Sequence, residues 1–171
     1  MTEPVLPLPA PPPVPPDATA PRKRPAKSSR RRSREIAVQG LYQWLVSACP
    51  LAELQAHMRE QEGFDKCDQA YLDTLLAGCT ADAAALDTVL ARHVDRKTSH
   101  LSPVEHAILL IGTFELKSCL NVPYRVAINE GVELAKSFGG TDGHKYVNGV
   151  LDKAAAELRP GEVRTVRGAP A

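Results

Sequence analysis

Four arginines stand close together in the stretch SSRRRSREIAVQGLYQW, which begins at Ser28: Arg30, Arg31, Arg32 and Arg34. Guanidinium groups bind phosphate through charge and paired hydrogen bonds, so this cluster has the chemistry of a nucleic-acid contact. Their place at the start of an apolar helical segment is unfavourable, because a helix N-terminus carries a partial positive charge. Since the cluster adjoins a folded segment, phosphate binding is favoured over a tail that only aids solubility. A basic run alone does not distinguish RNA, DNA and acidic lipid.

A second candidate site lies in the segment GGTDGHKYVNGVLD. Lys145 and Tyr146 follow a glycine-rich turn at a predicted helix start, where a lysine, an aromatic ring and free backbone N–H groups can hold a phosphate and stack a base. From the residues alone, Tyr146 is better explained as the first core aromatic of the helix. Gly149 costs that helix about 1 kcal/mol relative to Ala, which predicts close approach of another helix.

No enzymatic motif accompanies these residues. The sequence has no glycine-rich phosphate loop, no GxSxG, no HExxH and no carboxylate pair in a suggestive context. The two closest histidines, His100 and His106, are six residues apart, which is not a helical metal-ligand pair. The expectation is a protein that is not an enzyme and has neither a cofactor nor a metal site.

Charge is divided unevenly along the chain. Residues 1–34 contain eight Lys or Arg and two Asp or Glu, a net charge of +6, whereas the remainder contains 13 and 18, a net charge of −5. A basic segment on an acidic body predicts an anionic partner. There is neither an apolar run of roughly 20 residues nor a secretory signal. The four scattered cysteines, Cys49, Cys67, Cys79 and Cys119, predict a reduced cytoplasmic protein that uses them as small core residues.

The composition changes after the arginines. Ten of the first 25 residues are proline, which predicts a disordered tail over residues 1–29, and a passive tail is favoured over a PxxP ligand. From there to about Leu158, apolar residues recur at three- and four-residue spacings, and no alternating pattern is long enough for a strand. The fold class is therefore predicted to be all-α, with a helical domain over residues 30–160 and a flexible C-terminal tail over 161–171.

Two helices carry clear local signals. In SPVEHAILLIGTFELKSCL, Ser102 is the predicted N-cap, Pro103 takes the first helical position and Glu105 completes a capping box. The apolar middle of this helix predicts a central, buried position. A long helix is predicted from Tyr71 to about Leu90, with a bend or a split in two at Gly78 and Thr80.

Four phrases of the sequence together resemble the NusB family of transcription antitermination factors. They are RRRSREIAVQGLYQW, LSPVEHAILLIGTFEL, NVPYRVAINEGVELAKSFG and HKYVNGVLDKAA. The resemblance covers Arg30 to about Pro160 and implies about seven helices in two three-helix bundles that share a core. It further implies binding of boxA RNA in nascent ribosomal transcripts, together with a small-subunit ribosomal protein acting as NusE. The resemblance also implies that other Nus factors and RNA polymerase complete the assembly, which would suppress premature termination.

The resemblance also implies roles for particular residues. RNA binding falls to the four arginines named above and to His93, Asp142, Lys145 and Tyr146, so that base contact becomes the preferred role of Tyr146. His93 stands where the family has an aromatic residue. The ribosomal-protein partner is expected at Tyr42 and Glu105. Leu110 replaces a residue that is usually basic in the family.

Other interpretations stay open at this point. A helical adaptor that binds only protein would use Tyr42 and Glu105 without the arginines. Domains of this kind also form the RNA-binding part of ribosomal RNA methyltransferases, which would require a catalytic domain downstream of a chain that stops at Ala171. A homodimer that covers the RNA surface is a further possibility.

Overall fold

The computed structural model describes residues 28–168. Within that range the chain forms eight α-helices and two short 3₁₀ turns, Phe64–Lys66 and Thr98–His100. The helices are α1 (Ser29–Ser47), α2 (Leu51–Met58), α3 (Gln69–Ala81), α4 (Ala83–Ala91), α5 (Pro103–Ser118), α6 (Tyr124–Phe138), α7 (Gly143–Leu158) and α8 (Pro160–Val166). No strand occurs in the described residues, and the all-α prediction is confirmed. Residues 1–27 of the tail predicted over 1–29 and the last three residues lie outside them, whereas Ser28 caps α1 and Ser29 begins it.

Helix α1 begins at Ser29, well before Ile36, where its apolar pattern starts. The side chain of Ser28 caps it by accepting a hydrogen bond from the backbone N–H of Arg31 at 3.1 Å. All four arginines therefore lie inside a helix, and their side chains project from a fixed backbone.

The predicted long third helix is two helices. Helices α3 and α4 meet at Asp82 with a bend of 72°. Gly78 lies inside α3 and is not the break. A Cβ added at Gly78 would lie 2.2 Å from the Cζ atom of Phe114, so this glycine allows α3 and α5 to approach closely.

Helix α5 is the centre of the fold, as predicted. The hydroxyl of Ser102 accepts a hydrogen bond from the backbone N–H of Glu105 at 3.2 Å, and Pro103 opens the helix. Every residue from 107 to 116 is buried, including Leu110, whose position in this chain is an apolar core contact. Helix α5 packs against α1, α3, α4, α6 and α7.

Two groups of helices share one apolar core. Helices α1, α2 and α3 pack together at the N-terminal side, α5, α6 and α7 at the C-terminal side, and α1 joins the two groups through α5. The expected flexible tail after residue 160 is instead helical up to Val166. Val163 is buried, and Arg159 is also buried, where it donates hydrogen bonds to the backbone carbonyls of Glu115 and Cys119 at 2.9 Å. These contacts anchor α8 to the end of α5.

The structure also shows the surroundings of the cysteines and the apolar length of the helices. Cys67, Cys79 and Cys119 are buried free thiols, as expected for core cysteines, and Cys49 is half-buried. Among the described helices, none is both long and apolar enough by itself to cross a membrane, and the bent pair α3–α4 meets the test by length and composition only.

Candidate nucleic-acid interface

The first turns of α1 present three half-exposed arginines, Arg30, Arg31 and Arg32, which we call the arginine patch. The guanidinium of Arg30 lies over the ring of Tyr71, 4.4 Å from its centroid, in cation–π geometry. Its Nε atom is 3.7 Å from a carboxylate oxygen of Asp68. These contacts hold Arg30 near the surface of the domain.

Arg31 already binds a carboxylate. Its Nε and Nη2 atoms donate to the two oxygens of Glu130 on α6 at 3.0 and 2.9 Å. Those hydrogen bonds and the negative charge of Glu130 raise the pKa of Arg31. The edge of the guanidinium that would hold a phosphate is occupied, so RNA has to exchange with Glu130 to use it.

Arg32 differs from its neighbours. Within residues 28–168 it has no acidic partner, and its guanidinium points toward the turn at Gly63. A guanidinium without an internal counter-charge interacts with an external phosphate without first losing a salt bridge. Arg32 is therefore the best-placed phosphate ligand of the arginine patch.

Arg34 was predicted to bind RNA, but the structure places it in the interior. Its side chain is 3% exposed and donates two hydrogen bonds of 2.8 Å to Glu115, which is 1% exposed. The hydroxyl of Tyr71 donates to the same carboxylate at 2.9 Å. Burial opposes the charge on Arg34, but the hydrogen bonds and attraction of Glu115 outweigh it and raise the pKa of Arg34. Arg34 is thus a core ion-pair residue, and we remove it from the proposed RNA-binding set.

A second surface lies where α7 begins beside the end of α4. His93, Lys145 and Tyr146, three of the predicted RNA-binding residues, line one groove of about 270 Å³, which we call the Tyr146 groove. Its other lining residues are Asp95, Gly149, Val150 and Lys153. Asp142 stands next to it, exposed, with a carboxylate oxygen 3.5 Å from the Nζ of Lys145. Predicted residues from two distant segments thus come together here.

The ring of Tyr146 is held from two sides. Its hydroxyl donates a hydrogen bond to Asp95 at 3.1 Å, and the guanidinium of Arg96 lies 5.1 Å from the ring centroid. Partial burial, followed by the hydrogen bond to Asp95, raises the pKa of Tyr146. A hydrogen bond from Arg96, 2.9 Å long, lowers the pKa of Asp95. The phenol is neutral at physiological pH, and the two contacts hold its ring at the Tyr146 groove.

His93 is fixed against α7 rather than free to rotate. Its Nε2 atom lies 2.6 Å from a carboxylate oxygen of Glu157, which also forms an ion pair with Arg92. Hydrogen bonds from His93 and Arg92 lower the pKa of Glu157. The imidazole therefore forms a rigid edge of the Tyr146 groove.

The structure contradicts the prediction that another helix approaches α7 closely at Gly149. An added Cβ there would meet no described atom within 4 Å, so the expected close helix–helix contact is absent. Sequence reasoning missed two further lining residues, Lys153 and Asp95, and it missed Arg96, which lies over the ring of Tyr146. Lys153 lies seven residues after Tyr146, on the same helical face, and helical periodicity could have found it. Asp95 and Arg96 follow α4 in an irregular connection, where no periodic signal exists.

The predicted partner residues lie in different places. Tyr42, 45% exposed, lines a groove of about 360 Å³ on α1 and α2 together with Val46, which is 63% exposed. Glu105 is half-buried at the start of α5, with its carboxylate near Gly143 at the start of α7. The groove at Tyr42 does not include Glu105. In the part of the chain that the structure describes, no cluster of three or more His, Cys, Asp or Glu side chains is arranged to hold a metal ion.

Comparison with known proteins identifies the family. The model of the NusB family matches residues 31–156. The chain belongs to the NusB family. It is similar to the transcription antitermination protein NusB of Paraburkholderia xenovorans (strain LB400), with 57% identity over 141 residues that cover 82% of this chain and 98% of that protein. The corresponding protein of Albidiferax ferrireducens is 52% identical over 160 residues, covering 94% of this chain and 90% of that protein.

Solved structures agree with this placement of the NusB-family chain. T. maritima NusB is similar with a TM-score of 0.70 and 27% identity, covering 81% of this chain and 99% of that one. A chain from a crystal structure of antitermination factors NusB and NusE in complex with dsRNA has a TM-score of 0.66 and 22% identity, covering 74% and 96%, and shows the same fold. Family membership makes this chain a transcription antitermination factor rather than an enzyme.

Proposed function

We propose that this NusB-family chain binds boxA-type single-stranded RNA of nascent ribosomal transcripts, jointly with a small-subunit ribosomal protein that acts as NusE. The complex joins other Nus factors and RNA polymerase in the cytoplasm and keeps ribosomal RNA transcription processive. The arginine patch and the Tyr146 groove bind the RNA, and the outer face of α1 around Tyr42 contributes to the protein contact.

One observation carries the RNA part of this proposal. His93, Lys145 and Tyr146 come from segments about fifty residues apart and line a single groove. A base stacks on an aromatic ring whatever its identity, and a nearby lysine neutralises the adjoining phosphate. An aromatic ring next to two lysines, Lys145 and Lys153, combines the stacking surface and the positive charge that proteins use to bind single-stranded RNA.

The arginine patch supplies the electrostatic part of the proposal. Arg32 contacts a phosphate directly, whereas Arg30 and Arg31 do so by exchanging Asp68 and Glu130 for the RNA backbone. Because the three side chains project from the first turns of α1, a bound phosphate also meets the favourable end of the helix dipole.

A related structure supports the joint binding of protein and RNA. The similar NusB chain was crystallised with NusE and dsRNA. In this chain, Tyr42 and Val46 expose apolar surface on α1, which favours a protein partner there. The relatives named NusB match this chain over nearly their whole length, which favours the antitermination role over that of a methyltransferase domain.

Fluorescence anisotropy with boxA RNA tests the proposal. We expect boxA RNA to bind more tightly than a scrambled RNA of the same composition, affinity to fall steeply with salt, and the ribosomal partner to strengthen boxA binding. Equal affinity for both RNAs, with no gain from the partner, would favour an adaptor that binds only protein. Sedimentation of the same samples reports whether a homodimer competes with RNA.

A further inference from the structure

Gly149 differs from the other glycines that lie beyond the first turn of a described helix. An added Cβ would clash with a neighbouring side chain at those other positions, at 2.9 Å for Gly40, 2.2 Å for Gly78, 2.8 Å for Gly112 and 2.7 Å for Gly131. Each of these glycines is explained by close packing within the domain. At Gly149 the same added atom meets no described atom within 4 Å, although glycine weakens a helix interior. Packing inside the protein does not explain this residue.

The open space at Gly149 belongs to the Tyr146 groove. Gly149 follows Tyr146 by three residues and precedes Lys153 by four, so all three lie on one face of α7. They line the groove together. Because Gly149 has no side chain, the groove is wider next to the ring of Tyr146. The helix backbone at Gly149 is also accessible to a bound ligand.

The surrounding groups indicate what occupies that space. Lys145 and Lys153 place positive charge on both sides of Gly149 along the helix. The ring of Tyr146 lines the same groove and has the Arg96 guanidinium over one face, which leaves the other face for a base. The Asp95 carboxylate lies at the hydroxyl end of the ring, 3.1 Å from the phenol oxygen, where it can accept a hydrogen bond from the amino group of a base. An aromatic face, flanking cations and one acceptor match a nucleotide rather than a helix or a metal ion.

We propose that Gly149 is a positioning residue of the RNA site: it leaves room for one nucleotide to stack its base on Tyr146 while its backbone lies against α7. A methyl group at this position pushes the nucleotide away from the ring and from the lysines. This inference rests on the proposed RNA-binding function.

Gly149→Ala tests the inference with two measurements on the full chain. Replacing a helical glycine by alanine in open space should raise the Tm by about 2–4 °C. The same substitution should weaken boxA RNA binding by roughly fivefold or more, since stacking of one base is worth about 5- to 150-fold in affinity. We therefore expect Gly149→Ala to be more stable than the unmodified chain and to bind boxA RNA more weakly. A merely structural role would move stability and affinity in the same direction.

Two matched variants control for helix propensity. Asn148→Ala changes the exposed neighbour of Gly149, which does not line the groove, and Gly161→Ala fills another open glycine position on α8. Both should bind boxA RNA within about twofold of the unmodified chain.

The outcomes separate this inference from the proposed function. If the unmodified chain prefers boxA RNA over scrambled RNA and Gly149→Ala binds equally well, the inference is overturned and the proposed function stands. A lower Tm for Gly149→Ala also overturns it, because the space beside the residue is then not open. If the unmodified chain does not prefer boxA RNA, the proposed function fails and the inference fails with it.

Discussion

Arg34 on α1 and Glu115 on α5 form a buried, doubly hydrogen-bonded ion pair, with both nitrogen–oxygen distances at 2.8 Å. The pair connects the N-terminal group of helices to the central helix, directly beneath the arginine patch. Removing two charges from water is costly, and this cost is offset only when the groups satisfy each other fully. Tyr71 completes the arrangement by donating a third hydrogen bond to Glu115. The network fixes the start of α1 and therefore the direction in which Arg30, Arg31 and Arg32 point.

Arg34→Ala should destabilise the protein by about 3–5 kcal/mol, because it leaves the buried carboxylate of Glu115 without its counter-charge, although Tyr71 still donates a hydrogen bond to it. Urea unfolding followed by circular dichroism measures this change. The double variant Arg34→Met with Glu115→Leu removes both charges and should recover most of the loss. An unfolding midpoint for Arg34→Ala equal to that of the unmodified chain would show that the pair is not needed for stability.

Tyr71 should make stability fall at alkaline pH. Burial, and then the charge of Glu115, raise the pKa of Tyr71 far above that of a free phenol, which is about 10. The folded state therefore keeps a proton that the unfolded state loses, so this contribution is fully present below about pH 10 and decreases as the pH rises further.

Tyr71→Phe removes the titrating group and tests that expectation. The variant should lose about 1–3 kcal/mol at pH 7, because Glu115 loses a hydrogen-bond donor. Its stability should then decrease less steeply between pH 9 and pH 11 than that of the unmodified chain. Urea unfolding midpoints of both proteins, measured from pH 9 to pH 11, test this expectation. If the midpoints of the two proteins decrease by the same amount, Tyr71 is not the titrating group.

Local signals predicted the helices, whereas long-range pairing decided which arginines reach the surface. The cap at Ser102 and the apolar middle of α5 follow from neighbours along the chain, and both are confirmed. Arg34 pairs with a carboxylate 81 residues away and Arg31 with one 99 residues away. No pattern within a helical window shows such partners, so the four arginines looked equivalent.

In the Tyr146 groove, too, neighbours along the chain were predictable from the sequence, whereas contacts between distant segments were not. Lys145 and Tyr146 are neighbours in sequence and could be paired from it, but His93 joined them only through the family resemblance. Asp95 and Arg96 come from an irregular segment and appear beside Tyr146 only in the folded chain. The sequence shows that Gly149 is a glycine inside a helix. Whether it allows a close helix contact or leaves open space depends on the neighbouring atoms in the folded chain, which the sequence does not show.

Arg32→Ala should reduce the salt dependence of RNA binding more than Arg31→Ala does. Each lost phosphate contact on single-stranded RNA lowers the slope of log K against log salt by about 0.7. Arg32 should show this full change, because it has no acidic partner in residues 28–168. Arg31→Ala should show a smaller change, because Glu130 already neutralises Arg31.

Anisotropy titrations between 50 and 300 mM salt measure these slopes, with Arg59→Ala as the control. Arg59 is an exposed arginine at the end of α2, outside the arginine patch and the Tyr146 groove. Equal slopes for Arg32→Ala and Arg59→Ala would exclude a phosphate contact at Arg32.

Tyr146→Ala and Tyr146→Phe should separate the ring from its hydroxyl. The alanine variant loses the stacking surface, and boxA affinity should fall by about 1–3 kcal/mol, more than the affinity for scrambled RNA. The phenylalanine variant keeps that surface and loses only the hydrogen bond to Asp95, which is exposed to solvent, so its affinity should stay close to that of the unmodified chain. Competition binding with the two RNAs at one salt concentration makes the comparison. If Tyr146→Phe loses as much RNA affinity as Tyr146→Ala, the hydroxyl and not ring stacking provides that affinity. If Tyr146→Ala loses equal affinity for both RNAs, Tyr146 does not contribute to the preference for boxA.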